Sequence, residues 1–257
     1  MNAIKRKLLE LGKVKSANPE KYKVHFSSNE EINKFLDNIQ EYSHAYVLAC
    51  LMDRQIKAEK AWEIPYKIKQ LLGTFEITEL SSYNETYYID IFQEHKLHRL
   101  TNEMGKIFFQ GIKRIKETYG GNASNIWSSK PSSASVVYHF LQFNGCGIKI
   151  ATMAANILKR QYGIEYSDYC SIDVSPDVHV RRTMSRLGLI PSKTLQPDLN
   201  KINELIIYMA REINPEYPGI IDYALWDIGK NICRPKNPQC HLCELSNVCK
   251  RIIHENY

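Results

Sequence analysis

Four cysteines near the C-terminus restrict this chain more than any other feature. Cys233, Cys240, Cys243 and Cys249 follow the spacing C-x6-C-x2-C-x5-C within seventeen residues. Nothing at the N-terminus reads as a secretory leader, because Lys5-Arg6-Lys7 is followed by Leu8-Leu9-Glu10-Leu11 and more lysines. No apolar run approaches the roughly 18 residues that a membrane span needs. The expected setting is therefore intracellular, where thiols stay reduced and clustered cysteines read as metal ligands, not disulfides. Zinc is one candidate, but structural zinc sites usually show two short Cys-x2–4-Cys knuckles. Here only Cys240 and Cys243 form one. Cys50 and Cys146 stand in apolar surroundings and read as packing residues.

A second stretch is Phe143-Asn144-Gly145-Cys146-Gly147-Ile148-Lys149-Ile150-Ala151, followed by an apolar run to Leu158 with helical spacing. Glycine permits tight turns and lets a foreign backbone come close. A helix that begins just after such a turn presents unpaired N–H groups, which attract phosphate. A lysine in the first helical turn opposes the helix dipole. The neutral amine that this favours is a nucleophile. The plain alternative is a glycine turn before a packing helix with a surface lysine.

A third stretch is Asp173-Val174-Ser175-Pro176-Asp177-Val178-His179-Val180-Arg181-Arg182. Asp177 is placed to cap the helix that follows, which would hold its carboxylate rigidly. Together the three stretches resemble the endonuclease III superfamily of helix-hairpin-helix DNA glycosylases. That family carries Leu-Pro-Gly-hydrophobic-Gly-x-Lys at the hairpin. Gly145, Gly147 and Lys149 match it, while Phe143 and Asn144 replace the Leu and Pro. Its Val-Asp-Thr-His-Val-x-Arg motif is matched at Asp177, His179, Val180 and Arg182, with Pro176 and Val178 departing from it. The separation between Lys149 and Asp177 is longer than usual for the family, so a loop is expected to be inserted near 163–173. Asp173 is a rival for the catalytic acid. Asp177 is preferred because only it has the His-Val-x-Arg continuation.

The resemblance also implies a cofactor and further site residues. The cysteine spacing is that of the family's [4Fe–4S] loop, which would make Cys233, Cys240, Cys243 and Cys249 cluster ligands. Formal net charge is +6 with neutral cysteines. Four thiolates and a core of about +2 would bring it to about +4, still suited to a polyanion. Arg234 and Lys236, inside the cysteine loop, are candidates for phosphate contact, or else offset the cluster's charge. Gln55, in Leu51-Met52-Asp53-Arg54-Gln55-Ile56-Lys57-Ala58, is the carry-over for the family's wedge into the gap left by an extruded base.

At 257 residues the chain has room for two small domains. Helical periodicity recurs throughout, and no strand alternation stands out. Predicted helices include Tyr46 to Trp62, Ile148 to Tyr162, Leu199 to Ile213 and Ile220 to Ile232. The implied fold is all-α, the two-domain helix-hairpin-helix glycosylase fold with a C-terminal [4Fe–4S] loop. A helical barrel domain would span 42–163, and the iron–sulfur domain 1–41 plus 164–257. The implied partner is double-stranded DNA with a damaged or abasic site, bound by a monomer in the cytoplasm or at the nucleoid. The implied reaction is base excision with abasic-site lyase chemistry, Lys149 being the nucleophile and Asp177 the carboxylate. Oxidised pyrimidines are the default target. The alternatives are a monofunctional relative acting on adenine or mismatched thymine or uracil, and a non-catalytic iron–sulfur DNA-binding protein.

Overall fold

Side-chain caps set where the helices begin. Asn2, Asn29, Asn84, Ser132, Asp177 and Asp198 each accept a backbone N–H from the first turn of the helix that they precede. Each thereby satisfies one of the donors that a helix start leaves unpaired. The computed structural model describes residues 1–192 and 197–253. In order, the helices are α1 (Ala3–Ala17), α2 (Glu30–Asp37), α3 (Ser43–Met52), α4 (Ala58–Leu72), α5 (Ile77–Leu80) and α6 (Glu85–Glu94). They continue as α7 (Thr101–Thr118), α8 (Ser133–Leu141), α9 (Ile148–Tyr162), α10 (Val178–Leu187), α11 (Leu199–Ile213) and α12 (Asp222–Asp227). There is no strand among the described residues, so the fold is all-α as the sequence implies. Nor is any of the described helices long and apolar enough to cross a membrane. Pro191 to Pro197, which the two prolines mark as a loop in the sequence, lies partly outside the described residues.

The buried side chains form two apolar clusters. The first gathers α2 to α9 around Tyr46, Phe92, Phe108 and Phe140 and extends to Tyr166 and Ile172. Its centre is α3, in which every residue from Ser43 to Met52 is buried. A helix that is apolar on all sides has to be wrapped by others, and α4, α7 and α9 wrap it. The second cluster joins Ile4, Leu8 and Leu11 of α1 to Val180, Met184, Ile206, Leu225 and Leu245. Packing therefore changes hands elsewhere than at the expected boundary of 41/42. Phe26, Ile32, Phe35 and Leu36 lie in the first cluster, because Phe26 packs on Trp62 and Phe35 of the amphipathic α2 packs on Phe75.

The expected helix from Tyr46 to Trp62 is broken. α3 stops at Met52 and α4 starts at Ala58. Gln55 between them has φ 58°, a left-handed conformation that ends a helix. The Arg54–Glu103 ion pair at 2.6 Å and a bond from Arg99 to the Gln55 carbonyl hold this turn in place. The last predicted helix is continuous in path but changes type: α12 runs into a π-turn over Ile228–Ile232, which delivers Cys233.

Candidate functional site

The α8–α9 pair forms the hairpin. Gly145 has φ 80°, and a Cβ there would lie 2.8 Å from the Ile107 side chain, so the turn requires glycine. Gly147 is different. Its φ is −96°, and a Cβ would meet nothing within 4 Å. It caps α9 without a side-chain bond, so no cap side chain covers the first N–H groups of that helix. Lys149 follows in the first turn of α9, as its position after the glycines predicts.

The Lys149 ammonium donates to Asp53 Oδ2 at 2.6 Å. Sequence reasoning did not single out Asp53, because reading Tyr46 to Trp62 as one helix hid its place at a helix end. Asp53 is the C-cap of the wholly buried α3, where a negative charge opposes the dipole. Lys149 opposes the dipole at the start of α9. Each charge is misplaced on its own helix, and the fold pairs them.

Asp177 caps α10, its Oδ1 accepting the Val180 N–H at 2.8 Å. It lines a cleft of about 630 Å³ together with Lys149 and Asp53. The rival Asp173 is buried elsewhere and accepts two bonds from Arg211, both at 2.8 Å. The inserted loop before it is pinned to the start of α8: Ser167 N–H donates to the Pro131 carbonyl, and Ser133 bonds Asp168.

The aromatic rings of Phe26, Trp62, Tyr217, Tyr223 and Trp226 also line the cleft, as do Arg160, His179 and Asp222. Burial lowers the His179 pKa against the pull of Asp177, and its Nδ1 lies 3.0 Å from an Arg182 nitrogen. Asp222 is a second carboxyl that the sequence did not reveal. Its Oδ1 accepts the Ser175 N–H at 2.6 Å. Desolvation, with the nearby charge of Asp177, pushes its pKa up to about 7 in spite of that bond and of Arg160 and Lys149.

Gln55 is exposed in the turn that carries the cleft residues Asp53, Ile56 and Lys57. Arg234 and Lys236 are exposed on the cysteine loop, where the Arg234 Nε donates to the Asn231 carbonyl. The residues that line the cleft do not include these three; Lys230, one turn earlier, does line it.

The four C-terminal thiols lie close enough to act on one another electrostatically. Burial raises the Cys243 and Cys249 pKa values first, and the neighbouring cysteines add to the shift. Arg186 reaches Cys233 Sγ at 3.5 Å, and the Arg251 N–H donates to Cys249 Sγ at 3.3 Å. Among the described residues, no three such side chains converge as they would on a single ion.

No protein-family model matches the chain. An adenine DNA glycosylase from Schizosaccharomyces pombe is 35% identical over 81 residues, which is 31% of this chain and 17% of that protein. Endonuclease III from Thermotoga maritima is 32% identical over 75 residues, 29% of this chain and 32% of that protein. The matched segments thus span less than a third of the length of these relatives. Among solved structures, a thermostable thymine-DNA glycosylase is similar with a TM-score of 0.62 at 13% identity, covering 97% of this chain and 98% of that one. Endonuclease III trapped as a covalent intermediate with DNA is similar with a TM-score of 0.54 at 13% identity, covering 86% and 92%. At such identities the structural likeness is one of fold. In fold and in these local segments the chain is thus similar to endonuclease III-like, helix-hairpin-helix DNA glycosylases.

Proposed function

We propose that the chain is a base-excision DNA glycosylase with abasic-site lyase activity, acting as a monomer on double-stranded DNA. The observation that carries this reading is the meeting of Lys149, Asp53 and Asp177 in one aromatic-lined cleft. An enzyme that acts on a base must take it out of the stack, at a cost of about a few kcal/mol. The first α9 N–H groups, which no cap side chain covers, and the exposed Arg234 and Lys236 are suited to gripping phosphates. Gln55, on its strained turn, is placed to enter the gap. The aromatic rings of the cleft suit the flat face of an extruded base.

In this reading Asp53 takes a proton from Lys149, and the freed amine attacks C1′ of the deoxyribose. Asp177 faces the positive charge that develops on the sugar as the base leaves. The resulting Schiff base makes the C2′ proton acidic, and β-elimination cuts the strand 3′ to the lesion.

The cysteines fit a [4Fe–4S] cluster, in which each thiolate binds a different iron and the sulfurs spread wider than around one zinc. The electrostatic reach of the four thiols on one another supports this, as do the hydrogen bonds that Cys233 and Cys249 already accept. Bound there, the cluster would supply structural support, with no open coordination site for chemistry.

Borohydride trapping on an abasic duplex tests the nucleophile. The wild type is expected to form a covalent adduct and Lys149→Gln none; an adduct with the variant overturns the assignment. Oxidised or ring-saturated pyrimidines are the proposed substrates. Excision of adenine or of a mismatched thymine is a second reading, favoured by the segments similar to adenine DNA glycosylase. A panel of single-lesion duplexes, scored with and without alkali, separates the two. Base release without strand cutting identifies a monofunctional enzyme. Tight binding with neither release nor cutting leaves a non-catalytic DNA-binding protein.

A further inference from the structure

We propose that Asp222 is the acid of the reaction, delivering a proton to the departing base. This rests on the glycosylase reading above and adds a group to it. Four carboxyl side chains line the cleft: Asp53, Glu59, Asp177 and Asp222. Three of them have other engagements. Asp53 holds the Lys149 ammonium. Glu59 is exposed and accepts the Ser28 N–H at 2.9 Å. Asp177 caps α10.

Among the described residues, the Ser175 N–H is the one donor to the Asp222 carboxyl, and that bond takes one oxygen, Oδ1. The groups facing it are Lys149 and Arg160 from α9, Asp177 from the start of α10, and Tyr217 from the segment before α12. Desolvation, helped by the charge of Asp177 and opposed by those of Arg160 and Lys149, leaves Asp222 protonated up to about pH 7. A carboxyl that keeps its proton near neutral pH is what general acid catalysis requires.

The step balances as follows. The Lys149 lone pair forms the bond to C1′, the C1′–N bond breaks, and its electron pair stays on the base nitrogen. Asp222 protonates the base and becomes a carboxylate. Asp53 already holds the proton that freed the amine, so the extra proton on the new C1′ amine leaves to water in the cleft. Asp222 regains its proton from water entering the open cleft.

The test compares two reactions of the same protein: base release from a dihydrothymine duplex, and cutting of a preformed abasic duplex. Only the first needs a proton on a leaving base. In Asp222→Asn the amide oxygen still accepts the Ser175 N–H, so the local fold is kept. The ratio of base release to abasic cutting, in single turnover at pH 7, is expected to fall at least about 100-fold. The wild-type base-release rate is expected to decline tenfold per pH unit above about 7, and this limb is expected to vanish in the variant. An unchanged ratio, an equal loss of both reactions, or a wild-type profile flat from pH 6 to 9 overturns the proposal. Loss of adduct formation on the abasic duplex by the wild type would instead sink the lyase reading, so the two failures are distinguishable. If the wild type does not process dihydrothymine, the lesion that it excises fastest in the panel takes its place. If it excises none, the glycosylase reading fails, and this proposal with it.

Discussion

Lys149 and Asp53 each oppose the dipole of the helix that carries them, and each is tolerable because the other is 2.6 Å away. Asp53 has a side chain only 9% exposed, so removing its partner leaves a nearly buried charge. Lys149→Gln keeps a donor there and is expected to destabilise less than Lys149→Met, by an urea-melt comparison. Asp53→Asn is expected to slow adduct formation on abasic DNA by about 100-fold, because no base then takes the amine proton. An unaltered rate would remove Asp53 from the chemistry. Asp222 gives a prediction about stability. Its native pKa lies above the unfolded value of 3.8, so its contribution is fully present below about pH 4 and is lost as pH rises to about 7. At pH 8 the native state therefore carries a carboxylate that it disfavours. Asp222→Asn is expected to melt higher than wild type at pH 8, with the difference shrinking toward pH 4. A change of about 1 kcal/mol shifts Tm by about 2–4 °C in a chain of this size. A variant that melts lower at both pH values would show that the carboxylate is not disfavoured.

Among the elements, the hairpin shows how two glycines one residue apart do different work. Gly145 answers to the backbone, with its left-handed φ and the Ile107 contact. Gly145→Ala is expected to cost more than about 1 kcal/mol of stability. Gly147 has an ordinary φ and open space around it. Gly147→Ala is expected to cost less than about 1 kcal/mol in a urea melt. It is also expected to weaken duplex binding several-fold by fluorescence anisotropy, since the added methyl covers the α9 N–H groups. Equal affinity would show that the hairpin does not meet phosphate. The sequence was most legible where helical spacing, caps and glycine agree. The bounds of α9 and α11 are those expected, and Asp177 caps α10. It was least legible where tertiary contacts decide. The break between α3 and α4 rests on Glu103 and Arg99 from far along the chain. Asp173 and Asp177 were separable by motif alone, but the Arg211 clamp that occupies Asp173 comes from α11. Nothing in Pro218-Gly219-Ile220-Ile221-Asp222 marks the acid, whose surroundings come from α9 and α10.

In the whole molecule, the cysteine loop is a joint for the second apolar cluster. Arg182 and Arg186, each 1% exposed, run from α10 into it. Arg182 donates to the Cys233 carbonyl, and Arg186 to those of Arg234 and Pro235. From the other side, buried Lys15 of α1 bonds Asp227 at 2.9 Å and pairs with Glu244 beside Cys243. Loss of the loop's shape should therefore loosen α1 and α10 to α12 before it reaches α3. Cys240→Ser is expected to lower stability by about 3 kcal/mol or more. Amide exchange is expected to quicken across 178–227 while the amides of α3 stay protected. Uniform quickening of both halves would show that the two clusters unfold as one. The site belongs to neither half alone. Lys149 rides on a helix of the first cluster and Asp177 starts a helix of the second. The cleft thus resembles a pair of calipers: one jaw belongs to each cluster, and the gap is set by how the two clusters pack together. A substitution far from both residues that tilts one body by a degree would alter the reach of the amine without touching any group that reacts.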